Sequence, residues 1–185
     1  DPELVWRFYN WRRDLISHVT YNPAHKALVE LEGLVPGFTL ITQNVDGLHL
    51  LAGSHNLLEI HCNLWKVFCT RCQMITLDCS LDLGLSPKCK SCGGLLRPHV
   101  VWFGEALDPA ILKKAIEASR RSHVMLVIGT SSVVQPAASL TLEAKSSGAV
   151  VAEINLESTP HSHLMDFSLL GKAGVIVPQL VEGWK

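Results

Sequence analysis

Apolar positions Leu4, Phe8, Trp11 and Leu15 recur at helical spacing and predict an amphipathic helix over residues 3–18, opened by Asp1-Pro2. Asn22-Pro23 opens a second helix to about Glu32, where Gly33 is placed to end it. The period then changes. Residues 38–42 form a short apolar run that predicts a strand, 47–52 a short helix, and 57–60 a second extended piece. Residues 100–102 read as extended and 109–121 as helical. Beyond them strand and helix alternate. A buried strand at 124–128 ends at Gly129, a helix at about 137–146 is stopped by Gly148, and a buried strand follows at 150–154. A third strand is expected at 175–177, before a C-terminal helix. Continuous apolar strands alternating with helices predict a parallel sheet in an α/β domain.

Composition narrows the class. The chain has 185 residues, 48% hydrophobic and 18% charged, enough for one substantial core with a small appended unit. The formal net charge is -1, and no basic run exceeds Arg12-Arg13 or Arg120-Arg121, so no nucleic-acid surface is expected. No apolar stretch suggests a membrane span and no signal peptide is visible; a start at Asp1 leaves a targeting segment open.

Four cysteines change the picture most. Cys69-x-x-Cys72 and Cys89-x-x-Cys92 stand sixteen residues apart, the spacing of a two-knuckle zinc module. Each turn aims two thiolates at one point. Four thiolates close the coordination sphere, so this zinc is expected to be structural. Cys62 and Cys79 fall outside the pattern, which fits a reducing, intracellular compartment better than a secreted disulfide scaffold.

In an open parallel sheet, ligands bind beyond the carboxyl ends of the strands. Three polar clusters stand at such ends: Gln43-Asn44-Val45-Asp46, Gly129-Thr130-Ser131-Ser132 and Asn155-Leu156-Glu157. One such cluster alone is turn chemistry; three on successive strand ends indicate a nucleotide site. Glu157 or Asn155 can bond ribose hydroxyls. His61 follows an extended piece and is either a structural histidine or a general base, with His49 and His99 comparable on composition. Tyr9 and Arg12 share a face of the first helix. Either they hold a carboxylate together, or Tyr9 packs inward while Arg12 faces water, and the residues alone favour the second.

Taken in order, Thr42-Gln43-Asn44-Val45-Asp46-Gly47-Leu48-His49, Glu59-Ile60-His61, the four cysteines, Pro98-His99-Val100-Val101-Trp102-Phe103-Gly104-Glu105, Gly129-Thr130-Ser131 and Ile154-Asn155 resemble the sirtuin family across essentially the whole chain. The resemblance implies an NAD-dependent protein-lysine deacylase with one structural zinc ion on Cys69, Cys72, Cys89 and Cys92. It implies a Rossmann-like domain at 37–63 and 98–185, a zinc module at 64–97 and a helical module at 1–36. His61 would act as general base on the nicotinamide ribose hydroxyls while the acyl oxygen attacks the anomeric carbon and nicotinamide leaves. Asn44 and Asp46 would contact the ribose and the nicotinamide amide, with Gln43 and Val45 also binding the cofactor. Gly129, Thr130, Ser131, Asn155, Leu156 and Glu157 would hold the adenosine half, with Ala173, in a loop before the last strand, beside the adenine. A strand at Val101, Trp102, Phe103, Gly104 and Glu105 would pair with the backbone of the acylated protein substrate.

The segment Phe8-Tyr9-Asn10-Trp11-Arg12-Arg13 is similar to the class III branch, in which the Tyr and Arg grip the acid end of succinyl-, malonyl- or glutaryl-lysine. That resemblance reverses the default reading of Tyr9 and Arg12. Two departures stand out. Cys62 replaces the Gly that commonly follows the catalytic His, and a larger side chain there is expected to crowd the site or alter the loop. The family's opening strand and its Gly-Ala-Gly loop have no counterpart in these residues, so the chain is expected to be a stretch of a longer protein. The competing expectation is a shortened, catalytically impaired relative acting as a zinc-bound interaction module.

Overall fold

The computed structural model describes all 185 residues. Helix α1 (Pro2–Ser17) begins where the Asp1 carboxylate accepts from the N–H groups of Glu3 and Leu4, both at 3.1 Å. Helix α2 (Pro23–Leu34) opens on a reciprocal cap between Asn22 and His25. Gly33 does not end it. The helix runs one residue further and stops at Val35, which is extended, as the residue before a proline prefers to be. There follow β1 (Leu40–Thr42), α3 (Leu48–Ala52), β2 (Leu57–Glu59), β3 (Cys62–Cys69), β4 (Ile75–Leu77), β5 (Leu96–Val100), α4 (Pro109–Arg121), β6 (Val124–Ile128), α5 (Ser139–Ser146), β7 (Val150–Asn155), a 3-10 turn (Ser162–Leu164), β8 (Phe167–Leu170) and α6 (Ala173–Glu182).

The parallel strands form two groups, β1-β2 and β6-β7-β8, and an antiparallel sheet runs β4-β3-β5. Both parallel groups are covered on two sides. Leu40, Ile154 and the partly buried Leu126 and Ile128 meet α2 and α6 through Leu28, Leu31, Val177 and Val181. Ile41, Leu58 and Met125 meet α4 and α5 through Ala115 and Leu140 on the other side. Burial on both faces explains why these strands read as unbroken apolar runs.

The third strand of the larger group is β8, not residues 175–177. Val175, Ile176 and Val177 lie in α6, where Val177 is buried against α2. A short apolar run cannot choose between helix and strand, and here tertiary packing decided. β8 was hidden because it is an edge strand, with Phe167 and Leu170 exposed and Ser168 between them.

Helix α1 docks with the opposite face to the one its apolar period suggests. Leu4, Phe8, Trp11 and Leu15 are all exposed. The inward face is Trp6, Tyr9, Asn10 and Arg13, which share the same helical spacing. The Trp6 indole donates to the Leu96 carbonyl of β5 at 2.9 Å, and the Asn10 amide donates to Asp82 at 2.6 Å. Arg13 is fully buried. Its guanidinium donates to the carbonyls of Leu64 (2.8 Å), Asp78 (2.9 Å) and Ser80 (2.8 Å) and lies over the Trp65 ring.

These acceptors exist because β3 is irregular. Between the pairs Cys62↔Val100 and Val67↔Pro98, β3 advances five residues while β5 advances two. The surplus bulges inward, and Asn63 and Leu64 are buried. Leu64 N–H donates to the Val45 carbonyl at 2.8 Å, and the Leu64 carbonyl is left for Arg13. Arg13→Met removes the donors and leaves three carbonyls without them. At about 1 kcal/mol or more per buried acceptor, unfolding free energy should fall by about 3 kcal/mol or more in urea titration, whereas Arg12→Met should change it by less than about 0.5 kcal/mol.

Candidate active site and zinc centre

Strands β1, β6 and β7 deliver their polar ends to one place. The Gln43 amide donates to the Thr130 hydroxyl at 3.3 Å, and the Asn155 amide donates to the Thr130 carbonyl at 2.8 Å. Thr130 therefore ties the three strand ends together. The Gln43 carbonyl then meets His61 Nδ1 at 3.0 Å. A carbonyl only accepts, so Nδ1 carries the proton and Nε2 presents a lone pair. The His61 carbonyl accepts from Val101 N–H at 3.2 Å, and the neighbouring Trp102 indole donates to the Tyr9 hydroxyl at 2.8 Å. One continuous line of contacts thus runs Asn155, Thr130, Gln43, His61, Val101, Trp102, Tyr9.

The other expected residues fall beside this line in different ways. Val45 and Asp46 are partly used by the fold: their carbonyls accept from Leu64 N–H and the Trp65 indole. Gly47 follows them because the backbone turns left-handed there (φ 77°), and a Cβ would stand 2.9 Å from the Trp65 ring. Asn44, Ser131, Leu156 and Glu157 are exposed around the same strand ends. The backbone turns left-handed at Gly129 and again at Ser132, and the buried Ser132 hydroxyl has no partner within the protein. That orphaned hydroxyl, next to exposed Ser131, fits a loop shaped around a polar ligand such as the sugar or phosphate of NAD.

Two expectations need correction. Ala173 is not in a loop before a strand; it opens α6, because β8 has already been formed upstream. Residues Val101 to Glu105 are not one extended strand. The chain is extended only to Trp102, then turns, with Glu105 N–H donating to the Trp102 carbonyl at 3.0 Å and Gly104 left-handed at φ 88°. The turn is held by Arg97, whose guanidinium grips the Glu105 carboxylate through two bonds, 2.6 and 2.9 Å, and leaves Phe103 98% exposed. Arg97 gave no signal in the sequence, because its partner is eight residues away across a turn. Cys62 follows His61 directly. It takes up a left-handed backbone (φ 65°), which is why glycine suits that position.

The other histidines are poor bases. His49 meets His25 at a tilt of 49° with centroids 4.5 Å apart, and burial, with His25 adding to it against Asp46, holds it down at about 4. His99 is pushed down by burial and by Lys66 and Arg97, with its Nδ1 buried and unpartnered. On α1, burial raises the Tyr9 phenol above its usual range, against the pull of the Trp102 bond and of Arg12. The Glu105 carboxyl is lowered by its Arg97 bonds.

The four expected cysteines meet, their sulfurs within 4.8 Å of one another, with Cys69 to Cys92 at 3.4 Å and Cys72 to Cys89 at 3.8 Å. A zinc–thiolate tetrahedron with bonds of about 2.3 Å places sulfurs about 3.8 Å apart, so the cluster fits that ion. Arg71 N–H and Cys72 N–H approach the Cys69 sulfur at 3.4 and 3.5 Å, and Gly94 N–H approaches Cys92 at 3.4 Å. A Cβ on Gly94 would lie 3.0 Å from the Cys69 sulfur and 2.6 Å from Arg71 Cβ, so only glycine fits.

The Sir2 family profile matches residues 1–136. The chain belongs to the Sir2 family. A protein of Aquifex aeolicus named NAD-dependent protein deacylase is 49% identical over 174 residues, spanning 94% of this chain and 73% of the relative. A crystal structure of a Sir2 homolog–NAD complex superposes with a TM-score of 0.95 at 46% identity, over all of this chain and 72% of that one. Sir2 bound to acetylated peptide superposes with a TM-score of 0.89 at 33% identity, over 98% of this chain and 78% of that one. No helix is long and apolar enough to cross a membrane. Elemental analysis of the purified protein should find one zinc per chain, and a strong chelator should melt the β4-β3-β5 sheet, seen as loss of amide protection there.

Proposed function

We propose that this Sir2-family chain, an NAD-dependent protein deacylase by homology, removes acidic acyl groups (succinyl, malonyl or glutaryl) from lysine side chains of proteins. The observation that carries the reading is Arg12. It is half-buried, has no hydrogen-bond or ion-pair partner in the protein, and sits one turn from Tyr9, close enough to lower that phenol's pKa. Its guanidinium lies over the Phe8 ring, 5.9 Å from the centroid. Every other arginine near it is occupied: Arg13 by carbonyls and Arg97 by Glu105. A partly desolvated cation without a counter-ion is best explained by an anion that arrives with the substrate.

The remaining roles follow from position. His61 receives a proton at Nε2, because Nδ1 is committed to the Gln43 carbonyl. Gln43 touches that histidine, and Gln43, Asn44, Val45 and Asp46 would orient the nicotinamide ribose. The loop Gly129, Thr130, Ser131 and the end Asn155, Leu156, Glu157 would hold the adenosine half, with Ala173 at the start of α6 beside it. NAD supplies the electrophilic anomeric carbon and accepts the acyl group. The outer edge of β5, which has no strand beside it, continues into Val101 and Trp102 and would take the substrate backbone as an added strand, with Phe103, Gly104 and Glu105 forming the turn that ends it. On this reading, Tyr9 and Arg12 would meet the far end of the acyl chain.

Two measurements test this. His61→Ala should lower kcat by about 10²- to 10⁴-fold with NAD and a succinylated peptide, while circular dichroism stays that of the parent. Near-normal turnover removes His61 from the chemistry. Arg12→Met keeps the apolar stem and removes the fork. The ratio of kcat/KM for succinyl- over acetyl-lysine peptide should fall by about 10- to 100-fold, the worth of a charge-assisted contact of about 1.5–3 kcal/mol. An unchanged ratio defeats the acidic-acyl reading.

A further inference from the structure

We propose that Trp102 is a positioning residue for acyl specificity: its indole N–H fixes the Tyr9 hydroxyl as a donor, so that Tyr9 and Arg12 together select an acceptor-rich, anionic acyl end. The proposal rests on the acidic-acyl reading above and adds a residue to it. The indole nitrogen has one hydrogen and no acceptor capacity. In the 2.8 Å bond to Tyr9, the phenol oxygen must therefore accept. The phenol hydrogen is turned away from Trp102, and the protein offers it no acceptor, since this is the only hydrogen bond Tyr9 makes through its side chain. Accepting one bond also makes the O–H a stronger donor to the next group. Arg12 beside it has five N–H donors and no partner. The pair thus presents donors alone. A carboxylate, which only accepts, satisfies both, and a methyl group satisfies neither.

Trp102 can set this direction because it is itself held on three sides. The Arg97 guanidinium lies 3.7 Å over its ring. Arg97 is in turn locked by the two bonds to Glu105 and by a 3.1 Å bond to the Val100 carbonyl. Glu105 closes the circuit by accepting from Trp102 N–H at 2.9 Å. The indole cannot rotate away without breaking this ring of contacts, and its backbone is one residue from Val101, which bonds His61. Burial keeps the phenol protonated, so the hydrogen needed for donation is present at neutral pH.

The test is a double-mutant cycle on the full chain with NAD. Trp102→Phe keeps an aromatic face for Arg97 and removes the N–H along with the bicycle. The succinyl-over-acetyl ratio of kcat/KM should fall about three- to ten-fold, carried by a higher KM for the succinyl peptide. Tyr9→Phe should cause a similar fall, and Trp102→Phe should add nothing in the Tyr9→Phe background. Benzothienylalanine at position 102, which keeps the bicycle and replaces N–H by sulfur, should repeat the result where Trp102→Phe folds poorly. In ¹H–¹⁵N spectra, the indole signal that vanishes in Trp102→Phe should shift in Tyr9→Phe. Additive effects, or an indole signal indifferent to Tyr9→Phe, overturn the proposal. A ratio lost in Arg12→Met but kept in Trp102→Phe overturns this proposal alone. A parent enzyme with no succinyl preference overturns both it and the reading it rests on.

Discussion

The arrangement depends on how one buried guanidinium resolves a bulge. β3 carries more residues than its partner β5 can pair, and the surplus is driven inward, where water cannot reach its backbone. Buried carbonyls need donors. Arg13 supplies them, to Leu64 and to the loop at Asp78 and Ser80, and in doing so fastens α1 to the zinc-bearing sheet. The seam is directional. Trp6, Tyr9, Asn10 and Arg13 each make a side-chain hydrogen bond across it, so both the rotation and the height of α1 are fixed. A purely apolar contact would leave the helix free to roll by a residue. A roll of that kind would carry Tyr9 and Arg12 out of place.

The site inherits its precision from the same logic. No single element contains it. β1 gives Gln43, β6 gives Thr130, β7 gives Asn155, the start of β3 gives His61, and β5 leads to Trp102. Each is tied to the next by one hydrogen bond. The bond from His61 to the Gln43 carbonyl fixes which ring nitrogen is free. Four thiolates leave a zinc no open position, so the metal's part here is to hold the sheet from which β5 leads to Trp102.

Much of this was legible in the residues. The cysteine spacing announced the sulfur cluster, the apolar runs announced β6 and β7, and the polar strand ends announced the group that meets at Thr130. What failed did so for physical reasons. The period of Leu4, Phe8, Trp11 and Leu15 was real, but a helix can bury its hydrogen-bonding face and leave its apolar face exposed, and periodicity cannot say which. β8 was missed because edge strands carry little apolar signal, and 175–177 was misread because three β-branched residues sit as well on a buried helix face. The turn at 102–105 depends on Arg97, whose role appears only once Glu105 is beside it. Cys62 was flagged by comparison with the family pattern, and its left-handed backbone supplies the reason.

The bulge in β3 has one more effect. Pairing between β3 and β5 is interrupted there and begins again in a new register, and the interruption is pinned from outside by Arg13 and by the Val45 carbonyl. Beyond it, Phe68 and Cys69 pair again with Arg97 and Leu96. Leu96 is bonded by Trp6 of α1, and Arg97 lies over Trp102, so the knuckles stay coupled to both through β5. Only Asn63 and Leu64, at the interruption itself, answer to α1 and to the loop after β1 instead of to a partner strand.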